Sequence, residues 1–102
     1  MNEKLLQYIW QHRLFDGSSL QTIDEQPVTV LHPGTWNQHQ GPDFLHARIQ
    51  IGVTVWVGHV ELHIRQSDWQ LHAHELDPHY QNVILHVVWQ YDRPLALRFP
   101  VI

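Results

Sequence analysis

The chain has 102 residues, ten histidines, five tryptophans and no cysteine. That length fits one domain spanning residues 1–102. The missing cysteines exclude disulfides and thiolate zinc centres and agree with a cytoplasmic setting. A net charge of −4, with six Lys plus Arg, argues against broad phosphate neutralisation of a nucleic acid. No apolar signal segment opens the chain, and no run approaches the ~20 apolar residues of a membrane helix. Membrane association is therefore not expected.

Residues 3–13 read as a helix, with Leu5, Tyr8, Ile9 and His12 at helical spacing and no Gly or Pro among them. The run Asp16-Gly17-Ser18-Ser19 is expected to close it. Residues 20–24 suit a short strand or an extended loop. Residues 27–31 read as a strand ended by Pro33-Gly34. Residues 35–41 (TWNQHQG) read as a polar loop. Residues 44–51 then alternate, with His46, Arg48 and Gln50 on one face and Leu45, Ala47, Ile49 and Ile51 on the other. Gly52 marks a turn into a long strand over 53–65, where Val60, Leu62 and Ile64 oppose His59, Glu61 and His63. Both faces of that strand need cover, which points to layers on each side. Residues 68–80 are polar and hold a short helix at most. Residues 83–90 form a near-continuous apolar run of the kind buried on both faces. Residues 95–102 suit an edge strand. The predicted order is helix, three strands, short helix, strand. The expected fold is mixed α/β (α+β), a central mixed sheet of four to five strands flanked by helices.

Pro42-Asp43 and Glu61-Leu62-His63 carry the chemistry. A hairpin centred near Gly52 makes paired residue numbers sum to about 104 or 105, so Asp43 falls opposite Glu61 or Leu62. Only the first register puts the two carboxylates on one face, with His63 beside Glu61. That register sets Leu45, Ala47 and Ile49 against His59, Val57 and Val55. Two carboxylates there would suit a hard cation such as Mg²⁺ or Mn²⁺. The bland alternative is a carboxylate pair neutralised by Arg48 or Arg65. His86 lies within the apolar run, either as a core histidine or within reach of the carboxylates. Asn37 precedes the Pro-Asp turn and could orient a water or phosphate, or cap its own loop.

His72-Ala73-His74, with Asp77 and His79 behind, is a second constellation. In a strand, His72 and His74 share a face and with Asp77 could ligate zinc. The alternative is a solvated loop with its histidines on backbone carbonyls. Trp36 and Trp69 could mark a partner surface, or pack in the core. No glycine-rich phosphate loop and no nucleophile elbow around Ser18, Ser19 or Ser67 is present.

The motifs GPDF, GHVELH, DWQLHAH and LHVV, in that order, resemble a bacterial domain family of unknown function. The resemblance covers nearly the whole chain and matches the N-terminal part of longer members. More distantly, the Pro-Asp and Glu-x-His pattern resembles the PD-(D/E)xK nucleases, with an αβββαβ restriction-endonuclease-like core. That resemblance implies Asp43 and Glu61 as metal-binding acids, His63 in the lysine's place as general base or third ligand, and Asn37 and His86 as supporting groups. It implies metal-dependent hydrolysis of DNA or RNA phosphodiesters. A neutral imidazole cannot supply the lysine's permanent charge, so a non-catalytic interaction module stands as the alternative, with the histidine-based zinc domain as a third reading.

Overall fold

The computed structural model describes residues 1–18, 20–71 and 77–92. The expected edge strand over 95–102 and the His72/His74 zinc pair lie outside the described residues.

Helix α1 (Glu3–Gln11) starts where the Asn2 side chain accepts a hydrogen bond from the Leu5 amide, satisfying one of the first-turn donors that lack helical partners. It ends two residues before the expected boundary. Arg13 adopts φ 54°, and the Leu14 and Arg13 amides bond back to the Ile9 and Trp10 carbonyls at 2.9 and 3.2 Å. This is a Schellman closure built on arginine rather than glycine. The Asp16-Gly17 run lies beyond it. The buried stripe is also not the expected one: Leu6 and Trp10 are buried, while Leu5 and Tyr8 are about half exposed. Both stripes have helical spacing. Packing selects the one that carries Trp10, whose indole N–H reaches the Pro33 carbonyl at 3.0 Å.

The strands β1 (Val28–His32), β2 (Thr35–Trp36), β3 (Phe44–Ile51), β4 (Thr54–Arg65) and β5 (Val83–Gln90) form one open mixed sheet in the order β1-β3-β4-β5. β2 pairs with the upstream end of β3, so the expected polar loop contributes two strand residues. The β3–β4 and β1–β3 pairs are antiparallel, and β4–β5 is parallel. A one-turn helix α2 (Asp68–Leu71) and a 3-10 turn (Pro78–Tyr80) connect β4 to β5. This is the mixed α/β sheet with flanking helix expected from the pattern. No helix among the described residues is long and apolar enough to cross a membrane.

One face of the sheet meets α1. Leu6 and Trp10 pack there with Val28, Ala47, Ile49, Ile51, Val60, Leu62, Leu85 and Val87. Each fully buried large side chain contributes about 1.5–3 kcal/mol by leaving water. Among the described residues, the other face is covered over its β4–β5 end, by Trp69 of α2 and Tyr80 of the 3-10 turn packed with Val83.

The β3–β4 register changes along its length. Near the turn, Ile51 pairs with Thr54, Ile49 with Trp56 and Ala47 with Gly58. Farther on, Phe44 pairs with Val60. An extra β3 residue at Leu45-His46, with His46 at φ 58°, makes the shift. Such a bulge bends a strand and re-aims the side chains beyond it. Both candidate registers are therefore present, separated by the bulge. The expected pairing of Leu45, Ala47 and Ile49 with His59, Val57 and Val55 does not occur, because the turn-side register places Ala47 and Ile49 against Gly58 and Trp56.

Candidate carboxylate–histidine site

The bulge brings Asp43 to Glu61. Asp43 immediately precedes β3, and its backbone N–H donates to Glu61 Oε1 at 3.1 Å. The Leu62 N–H donates to Asp43 Oδ2 at 2.9 Å. Gln7, from α1, donates its side-chain amide to Asp43 Oδ1 at 3.1 Å. The fourth carboxyl oxygen, Glu61 Oε2, lies 3.3 Å from His63 Nε2. The two carboxyl groups also hydrogen-bond one another.

His63 is in turn held by His86. Parallel pairing sets Glu61 beside His86 on the β4–β5 ladder, and His63 Nδ1 lies 2.7 Å from His86 Nε2. Both ring nitrogens of His63 therefore have protein partners. With His63 donating from Nε2 to Glu61, Nδ1 accepts from His86. His86 is fully buried in the core, and its link toward the carboxyl pair runs through His63. Trp69 roofs both imidazoles, its ring centre 6.4 Å from that of His63 and 5.3 Å from that of His86. Tyr80 meets Trp69 edge-on at 5.9 Å.

Burial governs the protonation of the pair. Glu61 is 4% exposed and His63 2%. Burial raises the Asp43 pKa to about 8, and the adjacent Glu61 charge adds to the rise. Burial likewise raises Glu61 to about 7, against the hydrogen bonds it receives from Asp43. Two like charges this close, removed from water, favour a shared proton or a counter-cation. Tyr80 is pushed up from its ordinary value, first by burial and then by the charges of Glu61, Asp43 and Asp77. The 3-10 turn thus lies within the field of the carboxyl pair.

Arg48 and Arg65 are both exposed, and the ring that Glu61 meets is that of His63. Asn37 serves its own loop. Its Nδ2 donates to the Gln40 and Pro42 carbonyls at 3.1 and 2.9 Å, and its Oδ1 accepts from the His39 N–H. It fixes the approach to Asp43. Asp77 caps the 3-10 turn by accepting from the His79 N–H at 2.9 Å, and it also meets His79 Nδ1 at 2.7 Å. Of the two tryptophans singled out in the sequence, Trp69 is core and Trp36 is 43% exposed.

Gln7, Trp69 and Tyr80 join this site although the sequence pattern does not assign them to it. Gln7 has a legible signal: it is a polar residue one position from Leu6, on the flank of the buried helical stripe. The roles of Trp69 and Tyr80 depend on how the β4–β5 connection folds back, which carries no local signature.

Four oxygen donors of two acids are the kind of set a hard cation takes. As placed, each already has a partner in the chain. Among the described residues, no group of three or more His, Asp or Glu side chains is arranged to hold a metal. A cation here would displace internal partners and complete its shell with water.

An open mixed sheet with a carboxyl pair and a histidine pair buried at its covered end defines a mixed α/β protein with an internal acid–imidazole network. The chain belongs to the family described as Protein of unknown function (DUF2851), whose model matches residues 3–98. This agrees with the unknown-function family implied by the GPDF, GHVELH and LHVV motifs. No curated protein and no solved structure gives a significant match.

Proposed function

We propose that this chain is a metal-dependent, nuclease-like domain that hydrolyses nucleic-acid phosphodiesters in the cytoplasm, with Asp43 and Glu61 as ligands of Mg²⁺ or Mn²⁺. The meeting of the half-buried Asp43, just ahead of β3, with the buried Glu61 of β4 carries this reading. The strand order, three antiparallel strands followed by a parallel one, supports it as the order of the PD-(D/E)xK core. A bound divalent ion would polarise the phosphate and acidify a water. Gln7 and the Leu62 amide orient Asp43, while the Asp43 amide and His63 orient Glu61. His86 fixes the tautomer of His63. With both nitrogens engaged, His63 acts in this reading as a positioning residue for Glu61, not as the general base. DNA or RNA would be held with few basic contacts, given six Lys plus Arg.

A second reading has its own observation. All four carboxyl oxygens find partners within the chain, so the network is complete as a structural element of a non-catalytic interaction module.

Calorimetric titration with Mn²⁺ at pH 8, beside Asp43→Asn, separates the two. The catalytic reading expects binding that disappears in the variant, together with Mn²⁺-dependent cleavage of labelled DNA or RNA that Glu61→Ala abolishes. Absence of binding at millimolar Mn²⁺, or binding indifferent to Asp43, overturns it in favour of the module.

A further inference from the structure

β4 is longer than the strand beside it. Its pairing with β5 begins only at His59, opposite Val83. Among the described residues, no strand pairs with Thr54–Val57 on the side away from β3. Two hydrogen bonds fix the direction of the backbone groups there. The His59 N–H points away from β3, donating to the Asn82 carbonyl at 2.8 Å. The Leu62 N–H points toward β3, to Asp43. Backbone groups alternate sides along a strand. Val55 and Val57 therefore turn their N–H and C=O groups outward, onto the open edge.

The edge segment itself carries no charge and is mostly apolar; the nearest charged side chain across the ladder is Arg48, opposite Val57 on β3. Val53 is 97% exposed, Val57 59% and Trp56 47%. The stretch from Gln50 to Val60 contains no Lys, Arg, Asp or Glu. Natural edge strands are usually protected by a charge, a proline or a bulge, and the bulge of this hairpin lies on β3, at the far end from Thr54–Val57. The sequence VTVWVG is rich in β-branched and aromatic residues, the composition that favours strand pairing.

We infer that this edge is a dimerisation surface on which a second copy of the same chain docks, β4 against β4, antiparallel about a two-fold axis at Trp56. The edge is self-complementary in that arrangement. Val55 of each copy faces Val57 of the other, and their outward N–H and C=O groups form four reciprocal hydrogen bonds. Trp56 faces its symmetry mate in the non-hydrogen-bonded position, where side chains approach closest. A chain of net charge −4 meets its copy here through a segment without charge, so association is not opposed locally. The exposed residues would bury on the order of 1,000 Å² in total, the lower bound of a specific interface. The dimer is accordingly weak and reversible, and its two-fold symmetry closes the assembly at two copies.

Sedimentation velocity of the 102-residue chain from about 5 to 500 µM tests this, with Val57→Lys as the variant. The expected result is a monomer–dimer equilibrium whose association weakens at least tenfold in the variant. Amide hydrogen exchange of the unmodified chain provides a reading independent of whether the variant folds. The Val55 and Val57 amides should exchange at least tenfold more slowly at the highest concentration than at the lowest. A monomer at every concentration, a dimer indifferent to Val57→Lys with unprotected Val55 and Val57 amides, or open-ended growth beyond two copies each overturns the proposal. The monomer result would leave the edge to a strand of a different protein.

Discussion

The two halves of β4 follow opposite rules. From Thr54 to Val57 the strand carries apolar residues and exposes all of them; from Val60 to His63 it carries a glutamate and a histidine and buries both. Hydrophobicity alone would reverse the assignment. What differs is the neighbourhood. The second half has β3 on one side, β5 on the other, α1 beneath and Trp69 above. Among the described residues, the first half has only β3 on its flank. Burial along a strand is a property of what flanks it, and a polar side chain can be enclosed when every polar atom is met, as Glu61 and His63 are.

Substitutions of similar chemistry in the two halves break the comparison most sharply. Leu62→Ala opens a cavity between α1 and the sheet and should destabilise by about 2–5 kcal/mol in urea unfolding. Val55→Ala, in the open half, should stay within roughly 0.5 kcal/mol of the unmodified chain at monomeric concentration. Equal losses would show that the open half is covered in solution.

Gly58 marks the boundary. A Cβ there would lie 2.5 Å from Ile84 Cγ2 and 2.7 Å from the Asn82 carbonyl oxygen. Gly58→Ala should cost about 1–3 kcal/mol through overpacking and speed hydrogen exchange of the His59 amide, which bonds Asn82. Unchanged exchange would mean that the start of β5 does not depend on close approach at Gly58.

The most diagnostic effect is with pH. Asp43 and Glu61 have folded-state values near 8 and 7, above the ordinary carboxylate range. The folded chain binds their protons more tightly than the unfolded chain does. Their contribution is therefore fully present below about pH 4 and is lost as pH rises through 7 and 8. The urea midpoint should fall across that window, with Asp43→Asn removing on the order of 1–2 kcal/mol of the loss. A variant with the same pH slope would show that the pair does not hold its proton.

Much of this architecture is legible in the residues. The apolar run 83–90 is β5 without adjustment, because Val83–Val87 is buried on both faces and His86 alone interrupts its apolar side chains. The turn at Gly52, at φ 59°, is marked by its place between two alternating runs, and counting outward from it brings Asp43 opposite Glu61 or Leu62, a choice that the bulge decides. The bulge at His46 is not legible, because the left-handed conformation there is imposed on a residue type that does not demand it. The helix face departs from the expected one because Leu5 and Tyr8 are as apolar as the stripe that packs, and only the Trp10 contact with Pro33 decides between them. The histidine pair is half visible: His63 and His86 stand out, but their 2.7 Å contact depends on parallel register, which no local pattern encodes.

The bulge also separates two lengths that a plain hairpin would tie together. In an unbroken ladder, any change in the turn at Gly52 would carry the carboxylates out of step. Here the turn-side pairs from Ala47 onward and the Phe44–Val60 pair keep separate counts. Without the bulge, the turn-side count would run on through every residue and set Asp43 opposite Leu62, on the other face; deleting one residue at Leu45 or His46 would remove the excess and leave Asp43 opposite Glu61. The extra residue and the bulge that absorbs it therefore cancel in the count, and what the hairpin keeps from them is the bend that turns β3 toward the acid pair.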